Sequence, residues 1–344
     1  MAAGERPPVA LDARGADAGP AVVLEAARIV TAEGIGVKLF GPAGELTSLP
    51  GGAELVSTEE WITNEQEPVA AVRGTPKASV VMAAADVAAG SSSALVSAGS
   101  TGATMTAALF AMKRLRGVHR PALAAQVPIP GNEGGGFLFL DLGANVEVRP
   151  QHLIQFAHLG AAFSQAVLGT PNPRVALLSV GEEPNKGTAG LVEAHEALAA
   201  DRSIHFTGNV EGADLFEGAA DVVVTDGFTG NVALKLMEGT ARAVAGGVRR
   251  AARSNPLAAL GGLMLRPALG GLRRQMDPDE TGGAILLGLR SPAVVAHGGS
   301  SAEGIANAVR LADNCVRERM VERTAEALRA SGVTRADLGA AQPT

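Results

Sequence analysis

Short apolar runs alternate with alanine-rich amphipathic stretches along most of the chain. Val9 to Leu11 reads as a strand ending at Asp12, and a helix follows from about Pro20 to Glu33. Val37 to Phe40 is the next strand; Lys77 to Ala89 reads as a helix. Ala94 to Val96 is a strand whose Gly99-Ser100-Thr101-Gly102 turn opens the helix Ala103 to Leu115. Further strands are expected at Phe137 to Leu140, Val175 to Val180, Asp221 to Thr225 and Pro292 to Ala296. The helices between them are Pro150 to Leu168, Gly190 to Ala200 and a long one ending near Arg253. Strands separated by helices imply crossover units and a mostly parallel sheet covered on both faces. The strands are continuous apolar runs, as strands buried on both sides are. Near the end, Ile305, Val309, Ala312, Val316 and Met320 recur at helical spacing and predict one last helix. With no repeat and no linker in view, one domain is expected over residues 1–331, followed by a loosely ordered tail, 332–344.

Composition narrows the function. Apolar residues make up 47% of the 344 positions, enough for a sizeable core. The net charge of −6 and the 3% aromatic content argue against nucleic acid as a partner. The single cysteine, Cys315, fits a reducing cytoplasm. It reads as a small packed thiol; a nucleophilic role is the alternative, without a nearby Cys-His pairing to support it. The N-terminus carries Glu5 and Arg6 and no apolar run, so no signal peptide is expected. No apolar stretch reaches the roughly 18 residues of a spanning helix.

Polar and glycine-rich clusters follow the predicted strands: Ser97 to Thr104, Asp141 to Asn145, Gly181 to Gly187 and Asp226 to Asn231. In open α/β sheets the ligand crevice lies at the carboxyl ends of strands, so these four are expected to converge. Gly99, Ser100, Thr101 and Gly102 open a helix and read as a phosphate seat, as a helix N-cap, or as both. Lys186 stands in Glu182-Glu183-Pro184-Asn185-Lys186-Gly187. It reads either as a solvated lysine or as a donor to phosphate or a thioester carbonyl. Asn231 reads as a helix cap or a carbonyl donor, and His297 as a structural histidine or a second phosphate-side group. Asp141, Asn145, Glu182 and Asp226 complete the expected substrate- and phosphate-binding set. Dinucleotide, P-loop and nucleophile-elbow signatures are absent from the sequence, as is the H-x-x-x-x-D pair of glycerol-phosphate acyltransferases. Nothing suggests a metal, a cofactor or a covalent enzyme intermediate.

From about Val9 to about Glu322 the chain resembles the PlsX family of phosphate acyltransferases. The blocks that carry the resemblance are Asp12 to Pro20, Val96 to Ala103, Asp141 to Val146, Val180 to Glu183 with Lys186-Gly187, Thr207 to Gly212, Asp226 to Lys235, Gly282 to Ala284, and His297-Gly298. Three departures are visible. Arg14 and Ala16 replace Met and Gly of the family's D-A-M-G-G-D, and Ser100 replaces Asn of S-A-G-N-T-G. The basic stretch usual after E-x-P is reduced to Arg73 and Lys77.

The resemblance implies a three-layer α/β/α fold with a mostly parallel mixed sheet, like the isocitrate and isopropylmalate dehydrogenases and the phosphotransacetylases. It implies a homodimer that converts acyl-[acyl carrier protein] and inorganic phosphate to acyl phosphate, which feeds a downstream glycerol-phosphate acyltransferase in phospholipid synthesis. A phosphotransacetylase-like enzyme for short acyl-CoA is the first alternative, and an inactive paralogue that only binds carrier protein or membrane is the second.

Residues Arg249 to Met276 carry six arginines and no carboxylate, a local reversal in an acidic chain. Their pattern reads as two short helices meeting at an apolar tip, a hairpin over about 254–276. It is either buried in a dimer interface or a protruding surface hairpin that dips Leu263, Met264 and Leu265 into a bilayer. In the second case Arg253, Arg266 and Arg273 meet anionic lipid or an acidic carrier protein. The resemblance favours the membrane reading, and with it a cytoplasmic protein held peripherally at the inner face of the cell membrane.

Overall fold

A computed structural model describes residues 6–132, 135–261, 263–265 and 279–334. Among the described residues eleven strands form one sheet: β1 Val9–Asp12, β2 Val37–Gly41, β3 Ala53–Ser57, β4 Ala94–Ser97, β5 Ala122–Pro128, β6 Gly136–Leu140, β7 Val175–Leu178, β8 Phe206–Val210, β9 Val222–Val224, β10 Ala284–Leu287 and β11 Ala293–Val295. Their order is β3-β2-β1-β4-β11-β10-β5-β6-β9-β7-β8. Ladders are parallel except β11–β10, β10–β5 and β5–β6. Three successive antiparallel ladders reverse strand direction, so β4 and β11 run opposite to β6, β9 and β7.

The helices are α1 Pro20–Ala32, α2 Pro68–Gly74, α3 Ser79–Ala88, α4 Thr101–Met112, α5 Pro150–Ala166, α6 Ala189–Ala200, α7 Gly227–Ala252, α8 Ala302–Arg317 and α9 Met320–Ser331. Strand side chains alternate between two cores, as the two-residue period requires. Val9, Leu11, Leu138 and Leu140 join the core under α1, α5 and α8, whereas Ala10, Phe137 and Phe139 join the one under α3 and α4. The result is the expected three-layer α/β/α arrangement.

Strands β3, β5, β8 and β10 and helix α2 have no counterpart in the predicted elements. β5 holds three alanines and Gln126 and ends at Pro128, and β8 holds Gly208 and Asn209, so neither carries a β-branched run. The apolar stripe from Ile305 to Met320 crosses a break. Arg319 takes a left-handed conformation at φ 51°, ending α8 and starting α9. At the C-terminus, Val333 is buried and its carbonyl accepts from Gln155 Nε2 at 2.9 Å. The packed body therefore extends past the expected boundary at 331, and the remainder of the expected tail lies outside the described residues. Cys315 is buried in the α8 face, where burial pushes its thiol up to about 12; it is a packing residue.

Candidate active site

The loop after β6 is organised by a buried carboxylate. Asp141 Oδ1 accepts from the backbone N–H of Leu123 at 3.0 Å, Gly143 at 3.3 Å and Ala144 at 3.0 Å. Its Oδ2 accepts from Asn145 N at 2.7 Å and Asn145 Nδ2 at 2.8 Å. Burial pushes this carboxyl above the ordinary aspartate range, and the donors act against that shift. Asp141 thus sets the loop rather than presenting oxygens to a substrate. Asn145 ties the loop to the start of β5 through Nδ2 and the Pro121 carbonyl, 2.8 Å apart.

The first turn of α7 packs on that loop. Gly227 N donates to Asn145 O at 2.8 Å. A Cβ at Gly230 would collide with the Asp141 carbonyl oxygen, so the Gly-Phe-Thr-Gly-Asn segment needs glycine there. Asp226 caps α7: its Oδ1 accepts from Thr229 N at 2.8 Å and its Oδ2 from Thr229 Oγ1 at 2.7 Å. This corrects the reading of Asn231 as a possible cap. Asn231 is exposed, past the first turn, and packs on Gly143, where an added Cβ would meet its side chain at 3.7 Å.

The loop after β7 lies on the same side, because β6, β9 and β7 are parallel neighbours. Lys186 and Glu182 are exposed on it. Ser179 Oγ donates to the Lys186 carbonyl at 3.1 Å, and Asn209 Nδ2 donates to the Glu183 carbonyl at 2.9 Å. Asn209 Oδ1 in turn stands 2.9 Å from His195 Nδ1. Asn209 and His195 were not singled out from sequence; the only signal was that Asn209 lies in the Thr207 to Gly212 block. Among the described residues Lys186 Nζ pairs with no carboxylate.

The remaining expected site residues stand at the carboxyl ends of β1, β4 and β11. Ser97 Oγ donates to the buried Asp12 Oδ2 at 2.7 Å and accepts from Gly99 N at 3.1 Å. Gly15 and Gly99 allow their two loops to touch: a Cβ on Gly15 would lie 2.5 Å from Gly99 Cα. The departures fit around this contact. Ala16 is buried in the core, and Arg14 pairs with Glu45 while lying over the Trp61 ring at 4.4 Å. Ser100 caps α4, its Oγ accepting from Ala103 N at 3.4 Å, and Thr101 is exposed beside it. His297 is exposed, its Nδ1 accepting from Gly299 N at 3.1 Å.

The expected convergence of four loops on one crevice is therefore corrected. Strand direction reverses between β4 and β6, so Gly99 to Gly102 with His297 form one group, and Asp141, Asn145, Glu182, Lys186, Asp226 and Asn231 another. Helix α4 joins them. Its 12 residues span about 18 Å, and its second half reaches the Asp141 loop. There a cavity of about 620 Å³ is lined by Met105, Leu109 and Lys113 from α4 and its end, by Arg120, and by Asn145.

A protein-family model described as fatty acid synthesis protein matches residues 8–323. A phosphate acyltransferase of Geobacillus sp. is 44% identical over 325 residues, 93% of this chain and 98% of the relative. The chain belongs to this family, the PlsX family. Another family relative, a phosphate acyltransferase of Streptococcus pneumoniae, is 40% identical and aligns over 92% of this chain and 97% of its own length. Among solved structures, the EutD phosphotransacetylase of Staphylococcus aureus superposes with TM-score 0.57 at 21% identity, over 90% of this chain and 94% of that one. A 4-hydroxythreonine-4-phosphate dehydrogenase of Klebsiella pneumoniae does so with TM-score 0.53 at 15% identity, over 90% and 99%. These two likenesses establish the shared fold.

Proposed function

We propose that this chain is a phosphate acyltransferase that moves a fatty acyl group from acyl carrier protein onto inorganic phosphate. What carries the reading is family membership over nearly the whole chain, together with motif loops folded at one end of β6, β9 and β7.

The reaction needs little from the protein by way of base, because phosphate near neutral pH is already partly a dianion. A phosphate oxygen attacks the thioester carbonyl carbon, and the carbonyl electrons move onto its oxygen. Collapse breaks the C–S bond, leaves acyl phosphate, and releases the carrier thiolate, which takes a proton from solvent. Holding the two substrates together supplies much of the rate. Lys186, exposed on the loop after β7, and Asn231, exposed near the start of α7, are donors for the developing oxyanion. Asp141, Asn145 and Asp226 hold those loops, and Glu182 faces solvent beside Lys186. The turn Gly99 to Gly102, with His297, is a second polar end reached along the open face of α4.

The same reading places the protein in phospholipid synthesis, upstream of a glycerol-phosphate acyltransferase, as a cytoplasmic homodimer attached peripherally to the membrane. No helix among the described residues is long and apolar enough to cross a bilayer. Residues 256–261 and 263–265 are helical beyond α7, and Leu263, Met264 and Leu265 are 62%, 76% and 58% exposed. Arg253 is exposed at the end of α7, whereas Arg266 and Arg273 lie outside the described residues. Exposed Phe228, Val232 and Leu236 stand one turn apart at the start of α7 and supply an apolar stripe suited to a second copy.

The test is acyl phosphate formation from long-chain acyl carrier protein against acetyl-CoA. Turnover with the carrier substrate supports the reading. Turnover with acetyl-CoA alone would make the enzyme a phosphotransacetylase, and none with either would make it an inactive paralogue.

A further inference from the structure

The segment between α4 and β5 carries Lys113, Arg114, Arg116 and Arg120 in a chain of net charge −6. Three of these, Lys113, Arg114 and Arg120, line the cavity beside Asn145, and among the described residues no carboxylate shares that lining. Met105, Leu109 and Leu286 form an apolar wall against them. The cations are not loose surface residues, because the segment is pinned from beneath. Buried Gln155 accepts from His119 N at 2.7 Å and donates through Nε2 to Gly117 O at 2.8 Å. Asn145 Nδ2 holds Pro121 O at 2.8 Å, so both neighbours of Arg120 are fixed, one of them by the family motif loop. Arg114 donates to the His119 carbonyl, and Arg290 Nε donates to Arg114 O at 3.2 Å. Neither Lys113 nor Arg120 forms an ion pair with a carboxylate among the described residues.

We infer that this cavity is an anion site that seats a phosphate group, held by Lys113, Arg114 and Arg120, with the adjoining acyl carbons against Met105, Leu109 and Leu286. The assignment rests on the phosphate acyltransferase reading for the identity of the anion, and on the cavity alone for its charge. Guanidinium and ammonium groups converging without a counter-charge favour a dianion, and Arg presents paired donors to phosphate oxygens. An apolar wall beside them suits a phosphate that becomes esterified to a hydrocarbon chain. Two phosphates meet this description: the inorganic substrate, and the phosphodiester of the carrier protein's prosthetic arm.

The experiment uses the full chain and its Arg120→Gln, Lys113→Gln and Arg120→Lys variants, with Arg116→Gln as a control outside the cavity. Binding of inorganic phosphate is measured by equilibrium dialysis, and KM for phosphate and for acyl carrier substrate by steady-state assay. Arg120→Gln and Lys113→Gln are expected to weaken phosphate binding and raise phosphate KM by about ten-fold or more. Arg120→Lys should recover part of the loss, and Arg116→Gln should change neither. A ten-fold rise in KM for the carrier substrate alone would assign the site to the prosthetic-arm phosphodiester. Unchanged dialysis and unchanged KM values in both glutamine variants would overturn the site. If wild-type protein binds phosphate in an Arg120-dependent way yet makes no acyl phosphate, the anion site stands and the acyltransferase reading falls. Melting curves without phosphate identify a variant that has merely unfolded, in which case Arg120→Lys and Lys113→Gln carry the comparison.

Discussion

At the scale of single residues, the candidate site divides into groups that face solvent and groups that hold loops. Lys186 belongs to the first, exposed and unpaired with any carboxylate among the described residues. Lys186→Ala should leave the melting temperature near wild type and lower kcat by about 10²–10³, the usual cost of losing one transition-state donor. A rate within a few-fold of wild type, with normal phosphate KM, would return Lys186 to the solvated surface. Asn231 and Asp226 form a contrasting pair. Since Asp226 caps α7, Asp226→Ala should cost about 0.5–2 kcal/mol of stability. Asn231→Ala should hurt turnover and leave thermal unfolding almost unchanged. A large drop in melting temperature with intact specific activity would show that Asn231 is structural. That Asn231 and Asp226 belong near a site was legible from the Asp226 to Asn231 turn after a strand. Which of the two caps the helix was not, because both residue types accept from backbone N–H and the choice depends on where the first helical turn begins.

At the scale of elements, the helical stretch after α7 presents several strongly exposed apolar side chains away from the site. Leu257 is 80% exposed, Leu263, Met264 and Leu265 are more than half exposed, and the second arm of the expected hairpin lies outside the described residues. On the peripheral membrane reading, Leu263→Glu with Met264→Glu should abolish sedimentation with anionic liposomes while acyl phosphate synthesis in solution continues. Unchanged sedimentation would remove the membrane role. Conversion of a dimer to a monomer in the same variant would instead assign the tip to a subunit interface. The sequence pointed here through arginines flanking a leucine-rich run. Elements of the opposite kind escaped it: β5 and β10 are four- to seven-residue runs of small and aliphatic side chains that become strands only by pairing with each other and with β6 and β11.

At the scale of the whole molecule, stability depends on pH through buried histidine. His152 is packed under the segment that carries Arg120. Burial, with Arg120, His119 and Arg149 nearby, lowers its pKa from 6.5 to about 4. The unfolded chain therefore takes up this proton before the folded one does. Stability is complete above about pH 6.5 and is lost as pH falls from there toward 4. Melting temperatures should drop between about pH 7.5 and about pH 5 in the wild type. His152→Gln should melt lower near neutrality, through loss of the Arg149 N to His152 Nδ1 bond, and show a smaller drop. Equal pH dependence in the two proteins would remove His152 from the account.

Periodicity alone determined much of this architecture. Apolar runs of two-sided strands and alanine-rich helices dictate a layered α/β body, because each must bury its apolar face against the other. Local chemistry also marked the motif loops, since glycine and short polar side chains after a strand can form only a narrow set of turns. Strand direction could not be read this way. Residues 122–128 and 284–287 carry no orientation of their own, and only their antiparallel ladders decide that β4 and β6 point apart. That reversal splits the expected crevice into two groups and makes α4 the bridge between them. It also brings Lys113 and Arg120 to Asn145, across 25 to 32 positions of sequence, where no local spacing rule links them. Charges meet in a cavity through the packing of distant segments, and that packing is a property of the folded chain.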